Sequence, residues 1–240
     1  MSDSSRLRQP GLAALASVEA FGHHPWGEKG GLIWSVCVMI EIPTGTLGLL
    51  FDCDGTLADT MPLHYQAWRD TLARYGIDCT REYIDRHAGV PTRLIVEHMN
   101  RDFGVDLDPV RISDEKEGCF AKRLHEAPPI EEVVATARAY AGRLPMGVVS
   151  GGTRNVVVPT LQAVAVLDLF QVIVTADDPV RPKPAPDVFL EGARRLGVEP
   201  TKCHVFEDGE PGIIAAHAAG MTVTDVRLLP SQQGPKPSEE

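Results

Sequence analysis

Four short stretches carry side chains that could do chemistry together: Asp52-Cys53-Asp54-Gly55-Thr56, Ser150-Gly151-Gly152-Thr153, Arg181-Pro182-Lys183-Pro184 and Glu207-Asp208. Two carboxylates ~4 Å apart repel by about 4 kcal/mol at an effective dielectric of 20. If Asp52, Asp54, Glu207 and Asp208 converge, they need a cation to stay ionised. A hard divalent ion with oxygen ligands meets that need, and Mg²⁺ suits a few carboxylates plus a substrate phosphate. Lys183 would add a second positive charge. A carboxylate such as Asp52 can itself attack phosphorus and form an aspartyl-phosphate. It needs its own charge and the substrate's partly neutralised, which metal and lysine supply. Asp54, two residues on, could protonate the leaving oxygen and later deprotonate water. Ser150 and the backbone N–H groups of Gly151 and Gly152 could cradle the phosphoryl oxygens.

The elements that would bring these groups together can be read from apolar patterning. Leu47–Asp52 is an apolar run ending in acid, as in a buried parallel strand. A helix follows from Met61. Met61, Tyr65, Trp68, Leu72 and Tyr75 share one face, with Thr60 as cap, Pro62 in the first turn and Gly76 as stop. From Thr80 to Glu126 only helical signals occur. Thr80 caps one short helix. A second follows Pro91 with Leu94, Ile95 and Met99 inward. A third starts at Asp108-Pro109 and stops before Ala127-Pro128-Pro129. Beyond Pro129 the pattern alternates: helix 131–142, strand 146–150, helix 155–164 with Pro159 awkwardly inside it, strand 172–175, helix 186–196, strand 203–206, helix 211–219, strand 221–226.

Such alternation predicts an α/β fold, a Rossmann-like parallel-sheet core covered on both faces, with a small α-helical cap inserted. The expected domains are an N-terminal extension over 1–44, a core over 45–60 and 128–227, the cap over 61–127, and a disordered tail over 228–240. A short helix over Gly11–Phe21 is expected within the extension, and Met39 is read as the biological start. In open parallel sheets the ligand lies at the carboxyl ends of the strands. The acids and Ser150 all fall at such ends.

Bulk properties narrow the function. The 240-residue chain is 43% hydrophobic and 23% charged, with a net charge of -10. That charge argues against a nucleic-acid or anionic-membrane surface, both of which want clustered Lys and Arg. The expected partner is instead a small phosphorylated metabolite, and the expected state a monomer. The five cysteines are odd in number and scattered, and read as free thiols in a reducing compartment. The apolar run from Gly31 to Ile40 is too short to cross a bilayer, which needs ~20 residues. The chain is therefore expected to be cytoplasmic.

In order and content the four stretches resemble the motifs of the haloacid dehalogenase superfamily over residues 46–226. The first motif is Asp52-Cys53-Asp54-Gly55-Thr56, the second ends at Ser150, the third contains Lys183, and the fourth is Glu207-Asp208. The helical insert, with Leu57-Ala58-Asp59-Thr60 before Pro62, His64 and Trp68, resembles the β-phosphoglucomutase-like phosphatases. The resemblance implies Asp52 as nucleophile and metal ligand. It implies Asp54 as acid/base with its backbone carbonyl on Mg²⁺, and Asp208 as a further ligand. Glu207 would act on the metal directly or through water. It also points to His64 and Arg93 as residues that assist catalysis or hold substrate. From the residues alone, His64 reads equally as an ordinary helix histidine, and Arg93 equally as the partner of a nearby carboxylate. The mutases carry a Lys where this chain has Ala88, which favours hydrolysis over a sugar phosphomutase. Gly209 stands where a Ser is common. A non-catalytic metabolite-binding protein on the same fold is the remaining alternative.

Overall fold

The computed structural model describes residues 40–230 and 232. The Gly11–Phe21 helix, Met39 and nearly all of the extension and tail lie outside them. Five strands form one sheet: β1 (Gly48–Phe51), β2 (Met146–Val149), β3 (Val172–Val174), β4 (Cys203–Glu207) and β5 (Thr222–Asp225). All pairings are parallel and the order is β3-β2-β1-β4-β5. The first strand to be made is therefore the middle of the sheet. It starts one residue later than the apolar run suggests, because Leu47 is 54% exposed.

Side-chain alternation along β1 divides the core. Leu49 and Phe51 face a layer that includes Val133 and Val134 of α5 (Glu131–Tyr140) and Val157 and Leu161 of α6 (Arg154–Ala163). Leu50 faces the other way, towards Phe189 of α7 (Asp187–Leu196) and Ala215 of α8 (Glu210–Ala218). Phe51 is fully buried and stacks on Phe206 at 4.7 Å. Burying such a ring contributes on the order of 2–3 kcal/mol. Pro159 does lie within α6, where it removes one backbone donor from the helix.

Four helices lie between β1 and α5: α1 (Met61–Leu72), α2 (Arg81–Arg86), α3 (Thr92–Phe103) and α4 (Pro109–Ala121). Trp68 and Leu72 of α1 join Ile95, Met99 and Ile112 in the insert's own core. A second stripe on α1, Leu63 and Ala67, is also buried, against Phe120 and Val156. Only the first stripe was apparent from periodicity. Gly76, at φ +68°, ends the 3₁₀ turn that follows α1. Thr80 caps α2 by accepting the Tyr83 N–H, and Asp108 caps α4 by accepting those of Val110 and Arg111. Thr60 does not cap α1; its hydroxyl is committed elsewhere.

Both ends of the insert leave the core side by side. Ala58 pairs with Pro129 in an isolated antiparallel bridge, and the Asp59 N–H donates to the Pro128 carbonyl at 2.9 Å. Among the described residues no helix is long and apolar enough to cross a membrane. Cys53, Cys79, Cys119 and Cys203 are free and buried; Cys37 lies outside the described residues.

Candidate active site

The strand ends bring the acids to one place. Asp52 follows β1 and continues its ladder, donating its N–H to the Phe206 carbonyl at 2.9 Å. Glu207 is the last residue of β4, and Asp208 follows it. Single carboxylate oxygens of Asp52, Glu207 and Asp208 lie within 4.8 Å of one another. Lys183 reaches this group from the loop before α7. Its Nζ donates to Asp52 Oδ1 at 2.6 Å and to Glu207 Oε2 at 2.7 Å.

Small residues make this convergence possible. Gly55, at φ +80°, lies so close to the Asp208 carboxylate that a Cβ there would collide with it. Thr56 Oγ1 then donates to Asp208 Oδ1 at 3.2 Å. Glu207 tucks beneath the start of α8, where it accepts the Gly209 N–H at 3.0 Å. Gly212 leaves room for its carboxylate.

One ammonium against three carboxylates, those of Asp52 and Glu207 buried and that of Asp208 partly so, leaves the group short of positive charge. Burial and the neighbouring Glu207 charge push the Asp52 carboxyl well above the usual range, against the pull of Lys183. Burial, then Glu207, pushes Asp208 up to about 8. Burial opposes the charge of Lys183, but Asp52 and Glu207 outweigh it and hold the ammonium above the usual lysine range. An all-oxygen set with unbalanced negative charge fits a hard divalent cation. Asp52, Asp208 and Glu207 are the side chains that could hold it.

The Asp54 side chain points away from this cluster, towards the insert. It accepts from Thr60 Oγ1 at 2.7 Å and lies 3.1 Å from His64 Nε2. Thr60 has a helical backbone (φ -95°, ψ -10°) in place of the extended one a cap needs, which turns its hydroxyl towards Asp54 and away from the first N–H groups of α1. Lys116 of α4 stands 2.7 Å from His64 Nδ1 and 3.0 Å from Glu117 Oε1. An ammonium has donors only, so Nδ1 accepts and Nε2–H faces Asp54. The His64 ring is fixed by stacking on Phe120 at 4.0 Å. Burial would raise the Asp54 carboxyl, but His64, Thr60 and Lys116 pull it down to about 2. Lys116 and Glu117 were not anticipated from the sequence. They lie in the charged run Asp114-Glu115-Lys116-Glu117, which looks like a solvated helix face. Yet Lys116 is 2% exposed.

Ser150 and Gly151 extend beyond β2. The Ser150 N–H donates to the Val174 carbonyl, and its hydroxyl accepts the Gly152 N–H at 3.0 Å. The Gly151 N–H has no partner among the described residues. Asp52, Asp54, His64, Ser150, Gly151 and Gly152 all line one cavity, roofed by His87, Ala88 and Gly89 of the insert. Arg93 is not among its lining residues. It is exposed, in the first turn of α3, and faces a neighbouring cavity that also touches Ser150, Gly151 and Lys183. It makes no hydrogen bond or ion pair with another described residue.

Known proteins resemble the chain in sequence and fold. The haloacid dehalogenase-like hydrolase family matches residues 49–226, and the chain belongs to that family. It is 39% identical over 182 residues to the fructose-1-phosphate phosphatase YqaB of Escherichia coli K12, covering 76% of this chain and 97% of that protein. It is 29% identical over 177 residues to a phosphorylated carbohydrates phosphatase of Thermotoga maritima, covering 72% and 81%. A crystal structure of β-phosphoglucomutase from Clostridium difficile superposes with a TM-score of 0.65 at 26% identity, covering 75% of this chain and 84% of the other.

Proposed function

We propose that the chain is a Mg²⁺-dependent phosphatase that hydrolyses a small phosphorylated metabolite, in particular a sugar phosphate, through an aspartyl-phosphate on Asp52. The observation that carries this reading is the division of labour between two carboxylates lining one cavity. Asp52 is tied to Lys183 beside Glu207 and Asp208, whereas Asp54 is tied to Thr60 and His64. The relatives named as phosphatases of phosphorylated carbohydrates support the substrate class.

In this reading an Asp52 oxygen forms a bond to phosphorus as the bond from phosphorus to the ester oxygen breaks. The leaving oxygen takes a proton from Asp54. That proton reaches Asp54 from His64 Nε2 as Nδ1 takes one from Lys116, along the 3.1 Å and 2.7 Å contacts. Water then attacks phosphorus, Asp54 accepts its proton and returns it through His64 to Lys116, the bond to Asp52 breaks, and inorganic phosphate is released. The depressed pKa keeps the Asp54 carboxylate ionised and free to take that proton. Ser150 and the Gly151 N–H hold phosphoryl oxygens. Mg²⁺ on Asp52, Asp208, Glu207 and the Asp54 carbonyl would supply charge neutralisation. Arg93, at the neighbouring cavity, is assigned to a distal part of the substrate. The four-helix insert acts as the cap that shuts out water.

The reading is tested by assaying phosphate release from a panel of phosphorylated metabolites with and without Mg²⁺. Activity on small sugar phosphates is expected, abolished by chelation and reduced at least about 10³-fold in Asp52→Asn. Metal-independent turnover, or unchanged turnover in that variant, removes the mechanism. Interconversion of hexose phosphates without phosphate release would instead indicate a mutase; Ala88, roofing the cavity without a cation, argues against it.

A further inference from the structure

One carboxylate in the lining of this cavity is not used by the mechanism above. Glu117 is held by one oxygen: Oε1 accepts from Thr92 Oγ1 at 2.6 Å and from Lys116 Nζ at 3.0 Å. The other, Oε2, is buried and has no partner among the described residues. Glu117 lines the same cavity as Asp52 and Asp54. A buried carboxylate oxygen with no donor is costly, and two helices hold this one in place, α3 through Thr92 and α4 through Lys116.

Burial would keep the Glu117 carboxyl neutral, but Lys116 and His64, with the Thr92 hydroxyl, hold it below the usual carboxylate range. It is thus an acceptor in search of a donor. The lining of this cavity offers no free Lys or Arg beside it; Arg93, a cation of the insert unpaired among the described residues, faces the neighbouring cavity instead. Lys116 is committed to His64 and Glu117, and Ala88 has no charge. A second phosphate on the substrate would meet a fixed negative charge here, whereas a hydroxyl would meet a ready acceptor.

We propose that Glu117 Oε2 accepts a hydroxyl of the substrate's carbon chain and so selects polyhydroxylated monophosphates over hydroxyl-poor or doubly phosphorylated ones. Thr92 is a positioning residue that aims this carboxylate. The proposal rests on the phosphatase reading above and adds the residue that sets its substrate preference.

The test compares two monoesters with six-carbon chains, a hexitol phosphate and n-hexyl phosphate, in the full-length enzyme with Mg²⁺. Wild type is expected to prefer the hexitol ester. In Glu117→Gln, which keeps the shape and the Thr92 bond, the hexitol-to-hexyl ratio of kcat/KM should fall about 10- to 100-fold, the scale of a charge-assisted hydrogen bond. The change should lie mainly in KM, and the relative use of a hexitol bisphosphate should rise. Thr92→Val, which frees Oε1 without removing the charge, should move the ratio the same way by about threefold or more. It also keeps the question decidable if Glu117→Gln folds poorly. Equal losses on both esters, with the ratio within about twofold of wild type, would overturn the proposal and leave Glu117 a structural partner of Lys116. Failure of wild type to release phosphate from either ester is a different result and defeats the phosphatase reading itself.

Discussion

Lys183 is the residue on which the acidic cluster most depends. It is almost fully buried and bonds two of the three carboxylates. Removing one partner of such a buried group leaves uncompensated charge, which typically costs about 3–5 kcal/mol. Lys183→Met is therefore expected to unfold at markedly lower urea than wild type in metal-free buffer, with added Mg²⁺ recovering part of the loss. A midpoint equal to wild type would show that the carboxylates carry no such charge in the folded protein. Individual residues were also where the sequence was most and least informative. Asp52, Asp54, Glu207 and Asp208 stood out because each follows an apolar strand closely, so backbone direction alone carries it to the sheet edge. Lys116 and Glu117 could not stand out: what makes them unusual is the packing of α4 against α1 and α3. Thr60 was expected to cap α1, but its backbone is helical (φ -95°, ψ -10°) where a cap is extended, and its hydroxyl donates to the Asp54 carboxylate instead.

At the level of elements, the Ala88-Gly89 loop of the insert meets the core through its backbone. A Cβ on Gly151 would collide with the Gly89 carbonyl, and one on Gly209 would lie 2.8 Å from the Ala88 carbonyl. The residue that replaces a common serine at 209 thus leaves room for the insert's loop to approach. Gly209 has φ -89°, so alanine fits its backbone and adds that contact together with one 3.1 Å from Glu207 Oε1. Gly209→Ala is expected to keep the fold and the thermal midpoint while lowering kcat/KM by about tenfold, since misplacement by an ångström costs at least that much. Unaltered kinetics would mean that the loop does not need this approach during turnover. Helices and strands beyond Pro129 were legible from their apolar periods to within a residue or two, whereas the insert's third helix, expected to run up to Ala127, ends at Ala121 and is followed by a separate 3₁₀ turn, Leu124–Glu126. The second buried stripe of α1, Leu63 and Ala67, was hidden because one helix touching two neighbours at once blurs a single amphipathic face.

Across the whole molecule, stability couples to metal and to pH. A ligand that binds only the folded chain stabilises it by about 2.7 kcal/mol at 100 times its Kd. Thermal unfolding should therefore shift upward with Mg²⁺ and return with chelator, and Asp208→Asn should reduce the shift. A Mg²⁺-independent midpoint would count against the cluster as a cation site. Acid should act through His204, buried between Thr222 and Thr224 hydroxyls at 2.7 and 2.9 Å. Burial lowers its pKa from 6.5 to about 4. The unfolded chain thus binds the proton more readily, so this contribution is complete above pH 6.5 and is lost as pH falls towards 4. By pH 5 the loss amounts to about 2 kcal/mol, measurable as a urea midpoint that falls between pH 7.5 and 5 less steeply in His204→Asn.

The paired exits at Ala58 and Pro129 have one more consequence. Two chain passages bonded side by side act like the pins of a hinge, and one of these pins is also fastened to the site, because Ala58 bridges to Asp54 as well as to Pro129. His64 lies six positions beyond Ala58. The same short seam of backbone that ties the insert to the core thus sets where His64 stands beside the Asp54 carboxylate.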